Sequence, residues 1–209
     1  MAPRPTSTAG PSTKERILAA ALDLFSQRGY TAVSVRDLAR AVGIKESSLY
    51  NHFSSKEEIL TTIYANFRAG LQSSLPPVAA LDRLLEKYDP ETFLQQGFQL
   101  FQQNVSNPAI MQAWRIVHME QYRDPVAQEI LLTEIYGRTV SFLEEVFRRL
   151  IAAGRVRPFD PQLLAVEYQY PVFALMTEYA IRLTDEQGLA EVEQRVQAHI
   201  AFFISLVRS

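Results

Sequence analysis

The 209-residue chain contains no cysteine and only three histidines. The absence of cysteine excludes a disulfide scaffold, a zinc site made of thiolates and a cysteine nucleophile. The histidines at positions 52, 118 and 199 form no pair at metal-ligand spacing on one helix. We therefore expect a protein without a metal site, and the lack of cysteine fits a location in the reducing cytoplasm.

The sequence also lacks the long apolar segments of membrane and secreted proteins and the short motifs of several enzyme families. No uncharged apolar run reaches the ~18 residues of a membrane span, and no apolar segment of a secretory signal follows Met1. The chain contains no G-x-S-x-G, P-loop, G-x-G-x-x-G or H-E-x-x-H motif. These absences predict a protein that has no membrane partner, is not an enzyme and needs no cofactor.

Charge of either sign is scarce, and its distribution is uneven. The formal net charge is −2, yet residues 1–60 hold 8 Lys+Arg and 6 Asp+Glu, whereas residues 61–209 hold 13 and 17. The small positive excess lies in the N-terminal segment, as contact with DNA phosphates requires.

Residues 34–53 have the pattern of two short helices joined by a tight turn. Ser34 and Asp37 are spaced as a capping box, and Gly43 follows the first helix, where glycine tolerates a left-handed backbone. Apolar residues recur at helical spacing: Val35, Leu38, Ala39 and Val42 in the first helix, Leu49 and Phe53 in the second. The second helix leaves polar side chains exposed, and a helix-turn-helix places such a face in the DNA major groove.

The segment DLARAVGIKESSLYNHFSSKEEIL resembles the DNA-binding signature of the tetracycline-repressor (TetR) family of bacterial transcription regulators. The matching features are the turn region Ala39–Ala41–Gly43, Leu49–Tyr50, His52–Phe53 and the run Ser55–Lys56–Glu57–Glu58. The likeness extends back through ERILAAALDLFSQRGYTAVSVRDLA and covers about the first 65 residues. Family members often have Ser or Thr where Lys45 stands and a basic residue where Glu46 stands.

The resemblance implies two sets of DNA contacts. The positions that hold the DNA backbone in TetR-like proteins are occupied here by Ser34, Tyr50, His52 and Lys56. The exposed polar residues near the start of the recognition helix are candidates for base reading: Lys45, Glu46, Ser47, Ser48 and Asn51. Glu46 could accept from cytosine, or it could be a first-turn acid favoured by the helix dipole.

Beyond residue 70 a two-residue pattern recurs, a short capping residue followed by proline at the first helical position, and each occurrence predicts the start of a helix. The pairs are Asp89–Pro90, Asn107–Pro108, Asp124–Pro125 and Asp160–Pro161, and Asp185 can cap a last helix. They predict helices at about 90–106, 108–121, 125–152, 161–182 and 186–207. No alternating run is long enough for a sheet, so we predict an all-α fold.

The predicted organisation has three parts. Residues 1–11 form a disordered arm, and residues 12–70 form a three-helix DNA-binding domain with a connecting helix that starts at Ser55. Residues 71–209 form a helical domain for effector binding and dimerisation. In TetR-like proteins the helix that corresponds to the connecting helix transmits the ligand state to the DNA-binding heads.

The last two helices carry many apolar residues, and the helix from Pro161 is apolar almost all round. Such a helix must be covered on all sides, either within the monomer or by a second subunit. Because a helix-turn-helix needs a two-fold partner, we predict a four-helix bundle between two chains. The predicted interface residues are Tyr168, Phe173, Val196, Ile200 and Phe203.

An aromatic and methionine-rich group lies in the same half of the chain. Core packing explains much of it, but Trp114, His118 and Tyr122 recur at i, i+4 and i+8 and bring polar groups to an apolar surface. The predicted ligand contacts are Phe101, Met111, Trp114, Arg115, His118, Tyr122, Tyr170 and Phe173.

These observations together predict a homodimeric repressor that binds a palindromic double-stranded DNA operator and is released from it by an apolar or aromatic small molecule. The alternative is a DNA-binding dimer without a small-molecule effector, which uses its C-terminal half to meet a protein partner.

Overall fold

The computed structural model describes residues 10–72, 74–183 and 186–209. In this part of the chain the regular elements are helices joined by turns and loops, with one isolated bridge between Val156 and Arg208. The predicted all-α fold, a helix-turn-helix unit followed by a helical domain, is confirmed. The arm up to residue 9, Ser73 and the capping residue Asp185 lie outside the described residues.

Four helices make up the N-terminal part: α1 (Thr13–Arg28), α2 (Val35–Val42), α3 (Glu46–Tyr50) and α4 (Lys56–Gln72). A 3₁₀ turn at Val78–Ala80 precedes α5 (Leu81–Lys87), α6 (Pro90–Val105) and α7 (Pro108–Glu120). The remaining helices are α8 (Pro125–Glu129), a π-helical segment (Ile130–Gly137), α9 (Arg138–Ala152), α10 (Pro161–Ile181) and α11 (Glu186–Val207). None of these described helices is long and apolar enough to cross a membrane.

The described residues divide into two compact units. Unit 1 contains the residues up to Arg68 together with Gln112–Gln128, and unit 2 contains Ala69–Met111 and Glu129–Ser209. The first division between the units follows Arg68, whereas the sequence placed the domain boundary after residue 70. Most of α7 and all but the last residue of α8 nevertheless group with the N-terminal helices, whereas the sequence assigned them to the C-terminal domain.

Side-chain caps begin the helices α1, α2 and α4, and the cap of α4 differs from the other two. Ser12 and Glu15 form a complete capping box on α1, and Ser34 and Asp37 form one on α2. At α4, Ser55 accepts from the Glu58 N–H at 3.1 Å, but the Glu58 carboxylate accepts from the Ser54 N–H at 2.6 Å. The cap of α4 is therefore shared between two serines.

The helix starts predicted from proline are present at α6, α7, α8 and α10. The side chains of Asp89 and Asp160 cap α6 and α10. The long helix expected over 125–152 instead contains the π-helical segment. Gly137 lies in this segment, where a Cβ would come within 3.2 Å of the Leu132 carbonyl oxygen. The hydrophobic periodicity of the sequence carried no sign of the wider turn.

The predicted dimer residues Tyr168, Val196, Ile200 and Phe203 are buried inside unit 2 itself. The Tyr168 ring lies 5.3 Å from Phe203 and 6.4 Å from Phe147 on α9, measured between ring centroids. These four side chains therefore pack within one chain and leave little of their own surface for a second subunit. Phe173 is half-buried.

Other apolar side chains on α10 and α11 are left in water: Leu163, Tyr170, Ile181, Phe202 and Leu206. Ile181 is 70% exposed and Phe202 is 62% exposed. We call this set the outer stripe.

Candidate nucleic-acid interface and effector region

The recognition helix α3 is held by two buried apolar anchors. Leu49 is fully buried and Phe53, just beyond the helix, is 1% exposed, so the opposite side of the helix must face outward. That side carries exposed Lys45, Glu46, Ser47, Tyr50 and Asn51, with Ser48 and His52 half-buried. The arrangement is a polar surface on a short, firmly packed helix, as base reading in a groove requires.

A second set of residues, on α2, shares this surface. An open depression of about 470 Å³ is lined by Arg36, Ala39, Arg40, Ile44, Lys45, Glu46 and Ser47. It places two exposed arginines of α2 next to the start of α3. Sequence reasoning missed both arginines because it considered mainly the recognition helix, although their i, i+4 spacing opposite Leu38 was visible.

The Ser34 side chain caps the N-terminus of α2. Its hydroxyl accepts from the Asp37 N–H at 3.1 Å and donates to Asp37 Oδ2 at 2.6 Å. The hydrogen bond from the Ser34 hydroxyl, followed by that from its backbone N–H, lowers the pKa of Asp37. Both groups are near the surface, where the first turn of a helix also attracts phosphate.

Lys56 differs from the other cations of this region. Its ammonium donates to the carbonyl oxygens of Tyr30 at 2.9 Å and Val33 at 2.8 Å, and it lies 4.0 Å from the centroid of the Tyr30 ring. The side chain is half-buried and already bonded inside unit 1.

The predicted ligand contacts of unit 1 lie on and after α7. The rings of Trp114 and His118 have centroids 3.6 Å apart and planes tilted by 32°, and His118 Nδ1 donates to the Trp114 carbonyl at 3.0 Å. Burial lowers the pKa of His118. Arg115 is exposed, and Tyr122 is 90% exposed because α7 ends at Glu120, so the expected row of three aromatic residues stops after two.

The predicted ligand contacts of unit 2 form two aromatic groups, and Met111 is buried separately. Phe101 lies 6.0 Å from Phe98 and 5.9 Å from Tyr179, measured between ring centroids. Tyr170 and Phe173 surround Tyr136 of the π-helical segment, at 6.3 Å and 4.5 Å.

A polar pair that the sequence did not reveal lies beside the first aromatic group. Gln102 Nε2 donates to Glu193 Oε1 at 2.6 Å. Across the described part of the chain, no group of three His, Cys, Asp or Glu residues is placed to hold a metal ion.

Comparison with protein families gives two matches. The model for bacterial regulatory proteins of the tetR family matches residues 17–67, and the model for the C-terminal domain of AefR-like transcriptional repressors matches residues 92–206. The second match alone covers more than half of the chain.

Among curated proteins, the transcriptional repressor KstR2 of Mycobacterium tuberculosis is 36% identical over 81 residues, which are 35% of this chain and 40% of that protein. IcaR of Staphylococcus aureus, a negative transcriptional regulator of the biofilm operon icaADBC, is 46% identical over 46 residues, which are 22% of this chain and 25% of that protein. The chain thus spans less than half the length of either relative.

Among solved structures, the complex of SmeT with triclosan superposes with a TM-score of 0.67 at 17% identity, over 95% of this chain and 93% of that chain. SmeT is the repressor of the Stenotrophomonas maltophilia multidrug efflux pump SmeDEF. At this identity the likeness shows the shared fold alone.

Proposed function

Because the chain belongs to the TetR family of bacterial transcription regulators, we propose that it is a homodimeric repressor that leaves a palindromic operator when it binds a small molecule. The observation that carries this proposal is the polar face of α3, which is anchored by Leu49 and Phe53 and flanked by the arginines of α2. As a member of this family the chain is a DNA-binding regulator and not an enzyme. We place its action in the cytoplasm, where the DNA is.

The proposed DNA contacts divide by chemistry. Arg36 and Lys45 can donate to guanine O6 or N7, and Asn51 can pair with adenine. Ser34, Tyr50 and His52 border this face and would hold phosphates, which fix orientation without reading sequence. Ser47 and Ser48 can contact either kind of group, and Glu46 is the single acid on this surface.

The outer stripe supports a dimer. Leu163 and Tyr170 lie seven residues apart on α10, and Phe202 and Leu206 lie four apart on α11, so each pair shares one side of its helix. Exposed apolar side chains on two packed helices mark a surface that a second copy would cover. A two-fold dimer would also present two recognition helices to two half-sites.

The effector is proposed to be apolar or aromatic. Each unit offers candidate contacts of its own. In unit 1 the Trp114–His118 pair supplies an aromatic face and a polar ring nitrogen. In unit 2 the Phe101 group and the Tyr136 group supply aromatic faces, and the Gln102–Glu193 pair supplies polar atoms. The complex of SmeT with triclosan shows that a protein of this fold can bind an aromatic small molecule. A protein partner in place of the small molecule is the alternative.

The experiment uses the single tryptophan, Trp114, as the reporter. A compound library is first screened by thermal shift, since a ligand of the folded state raises its apparent stability. Each compound that binds is then added to the complex of the protein with a duplex selected from random-sequence DNA. We expect at least one compound to quench Trp114 emission and to release the duplex, with both effects weakened in His118→Ala. Release without any change in Trp114 emission, and unaltered by His118→Ala, would place the effector elsewhere.

A further inference from the structure

The loop Gly29–Val33 connects α1 to α2 and determines where the helix-turn-helix begins, because Ser34 caps α2 immediately after it. Gly29 ends α1 with φ +78°, and Val33 is 1% exposed. The Tyr30 ring meets Phe25 edge-on with centroids 5.3 Å apart. Side chains of α4 and α7 bond two backbone carbonyls and one backbone N–H of this loop, and Arg28 of α1 donates to a third carbonyl, that of Ala32, at 3.3 Å.

Lys56 bonds the two carbonyls. Its ammonium donates to the Tyr30 and Val33 oxygens and lies over the Tyr30 ring, so the N-terminus of α4 is fastened to both ends of the turn. Burial lowers the pKa of Lys56, and the nearby Glu120 carboxylate opposes that shift. A cation held in this way has its hydrogen bonds directed into the protein.

Glu120 bonds the N–H. It is the last residue of α7 and is only 5% exposed, and its Oε1 accepts from the Tyr30 N–H at 3.0 Å. Glu120 lies close to Gly29, where a Cβ would be 3.6 Å from Glu120 Oε1, an ordinary van der Waals distance, and it is the φ of +78° that favours glycine at this position. A buried carboxylate is costly unless it is hydrogen-bonded, so this one is committed to the loop.

The end of α7 is also attached to α4. Tyr64 is 2% exposed, and its hydroxyl donates to Asp124 Oδ2 at 3.0 Å. Burial, followed by the charge of Asp124 and this hydrogen bond, raises the pKa of Tyr64. The Tyr64–Asp124 hydrogen bond therefore fixes the turn that follows α7, directly after Glu120, the residue that bonds the loop.

We propose that Glu120 and Lys56 are positioning residues for DNA reading. They hold the Gly29–Val33 loop from two sides, fix the start of α2 and thereby set the direction of α3. Neither residue contacts DNA in this account, and Lys56 acts through the loop instead of through a phosphate. The role is additional to the proposed function, since it concerns affinity for DNA in the absence of any effector.

If Glu120 acted only through its charge, its removal would change DNA affinity in the opposite direction from the change expected for a positioning residue. A carboxylate near DNA repels phosphates, so its removal should by charge alone leave DNA binding unchanged or tighten it. Loss of the hydrogen bond to Tyr30 should instead let the loop move and weaken binding to the operator. Glutamine keeps an oxygen acceptor without the charge, and leucine keeps neither.

The experiment compares Glu120→Leu with Glu120→Gln, and uses Glu57→Leu as the matched control that removes an exposed carboxylate from the same unit. Affinities are measured for a duplex selected by the wild-type protein and for a random-sequence duplex of equal length. We expect Glu120→Leu to lose about tenfold or more in affinity for the selected duplex, as for other hydrogen bonds to charged groups. Glu120→Gln and Glu57→Leu should stay within about threefold of wild type. Wild-type or tighter binding by Glu120→Leu, or equal weakening of the Leu and Gln variants, overturns the proposal.

Lys56 is tested by the salt dependence of binding. Lys45→Met, at an exposed cation of the reading face, should reduce the slope of log affinity against log salt by about one unit. Lys56→Met should weaken binding to the selected duplex more than to the random one and leave the slope unchanged. Equal weakening for both duplexes with a slope lower by about one would make Lys56 a phosphate contact.

Hydrogen exchange at the Tyr30 amide keeps the proposal testable if Glu120→Leu does not fold. In Glu120→Gln the Tyr30 N–H should remain protected, because its acceptor is retained. A Tyr30 amide that exchanges freely in that variant while affinity for the selected duplex is unchanged would show that the loop contact does not control DNA reading.

Discussion

At the scale of single residues, the reading face combines three cations with one acid. Arg36, Arg40 and Lys45 line the depression between α2 and α3, and Glu46 lies among them. Arg40 is 3.9 Å from Asp37 in an exposed pair, which contributes little to stability and leaves the guanidinium available. The positive charge is therefore concentrated where DNA would lie, although the whole chain is slightly acidic.

The role of Glu46, as a base contact or only as an acid near the phosphates, can be tested by removing its charge. Glu46 is exposed and lines the same depression as the three cations, so Glu46→Gln removes repulsion of phosphates with little change in the shape of the side chain. We expect tighter binding to selected and random duplexes alike, by several-fold at low salt, with the same selected sequence. Parallel selections with wild type and variant check this, and a change at one base pair would mean that Glu46 accepts from a cytosine.

The sequence predicts single residues well where the signal is local. Ser34 and Asp37 bond each other across three positions, and Gly43 adopts φ +75° at the end of α2, because both features depend only on neighbours in the chain. Tyr122 was misplaced because the row assumed a helix that continues beyond Glu120. The bonds of Lys56 to Tyr30 and Val33 span 26 and 23 residues and have no local signature.

At the scale of elements, proline with a preceding cap located four helix starts correctly, because the missing N–H and the fixed φ of proline act on one turn only. The π-helical segment was not predicted, since one extra residue per turn leaves composition and proline pattern unchanged. The side of a helix that faces the core was ambiguous for α10, which is apolar almost all round, so the sequence did not reveal that Tyr168 is buried within the single chain.

The outer stripe on α10 and α11 gives the element-scale prediction. Phe202→Glu would put an uncompensated charge in the proposed dimer interface, at a cost of several kcal/mol per desolvated copy. Sedimentation should show folded monomers, with binding to the selected duplex lost. Gln197→Glu, at an exposed position on another side of α11, should remain dimeric and bind DNA. A dimeric, DNA-binding Phe202→Glu would exclude this stripe as the interface.

At the scale of the whole molecule, the proposed switch is a coupling between two binding equilibria. A ligand can lower DNA affinity only by binding one state of the protein better than the other, and typical couplings of ~1–3 kcal/mol change affinity about 5–150-fold. The same linkage requires that DNA weaken the ligand by an equal factor. A compound that passes the Trp114 test should therefore bind the protein–DNA complex less tightly than the free protein.

The central claim is that two copies of this chain read DNA together through α3. The direct test is selection from random-sequence duplexes, followed by sedimentation of the protein with the selected duplex. We expect an inverted repeat whose half-sites are about 10–10.5 base pairs apart, or a multiple of that spacing, with an even number of chains, at least two, on each duplex. A selected site without two-fold symmetry, or one chain per duplex, would contradict it.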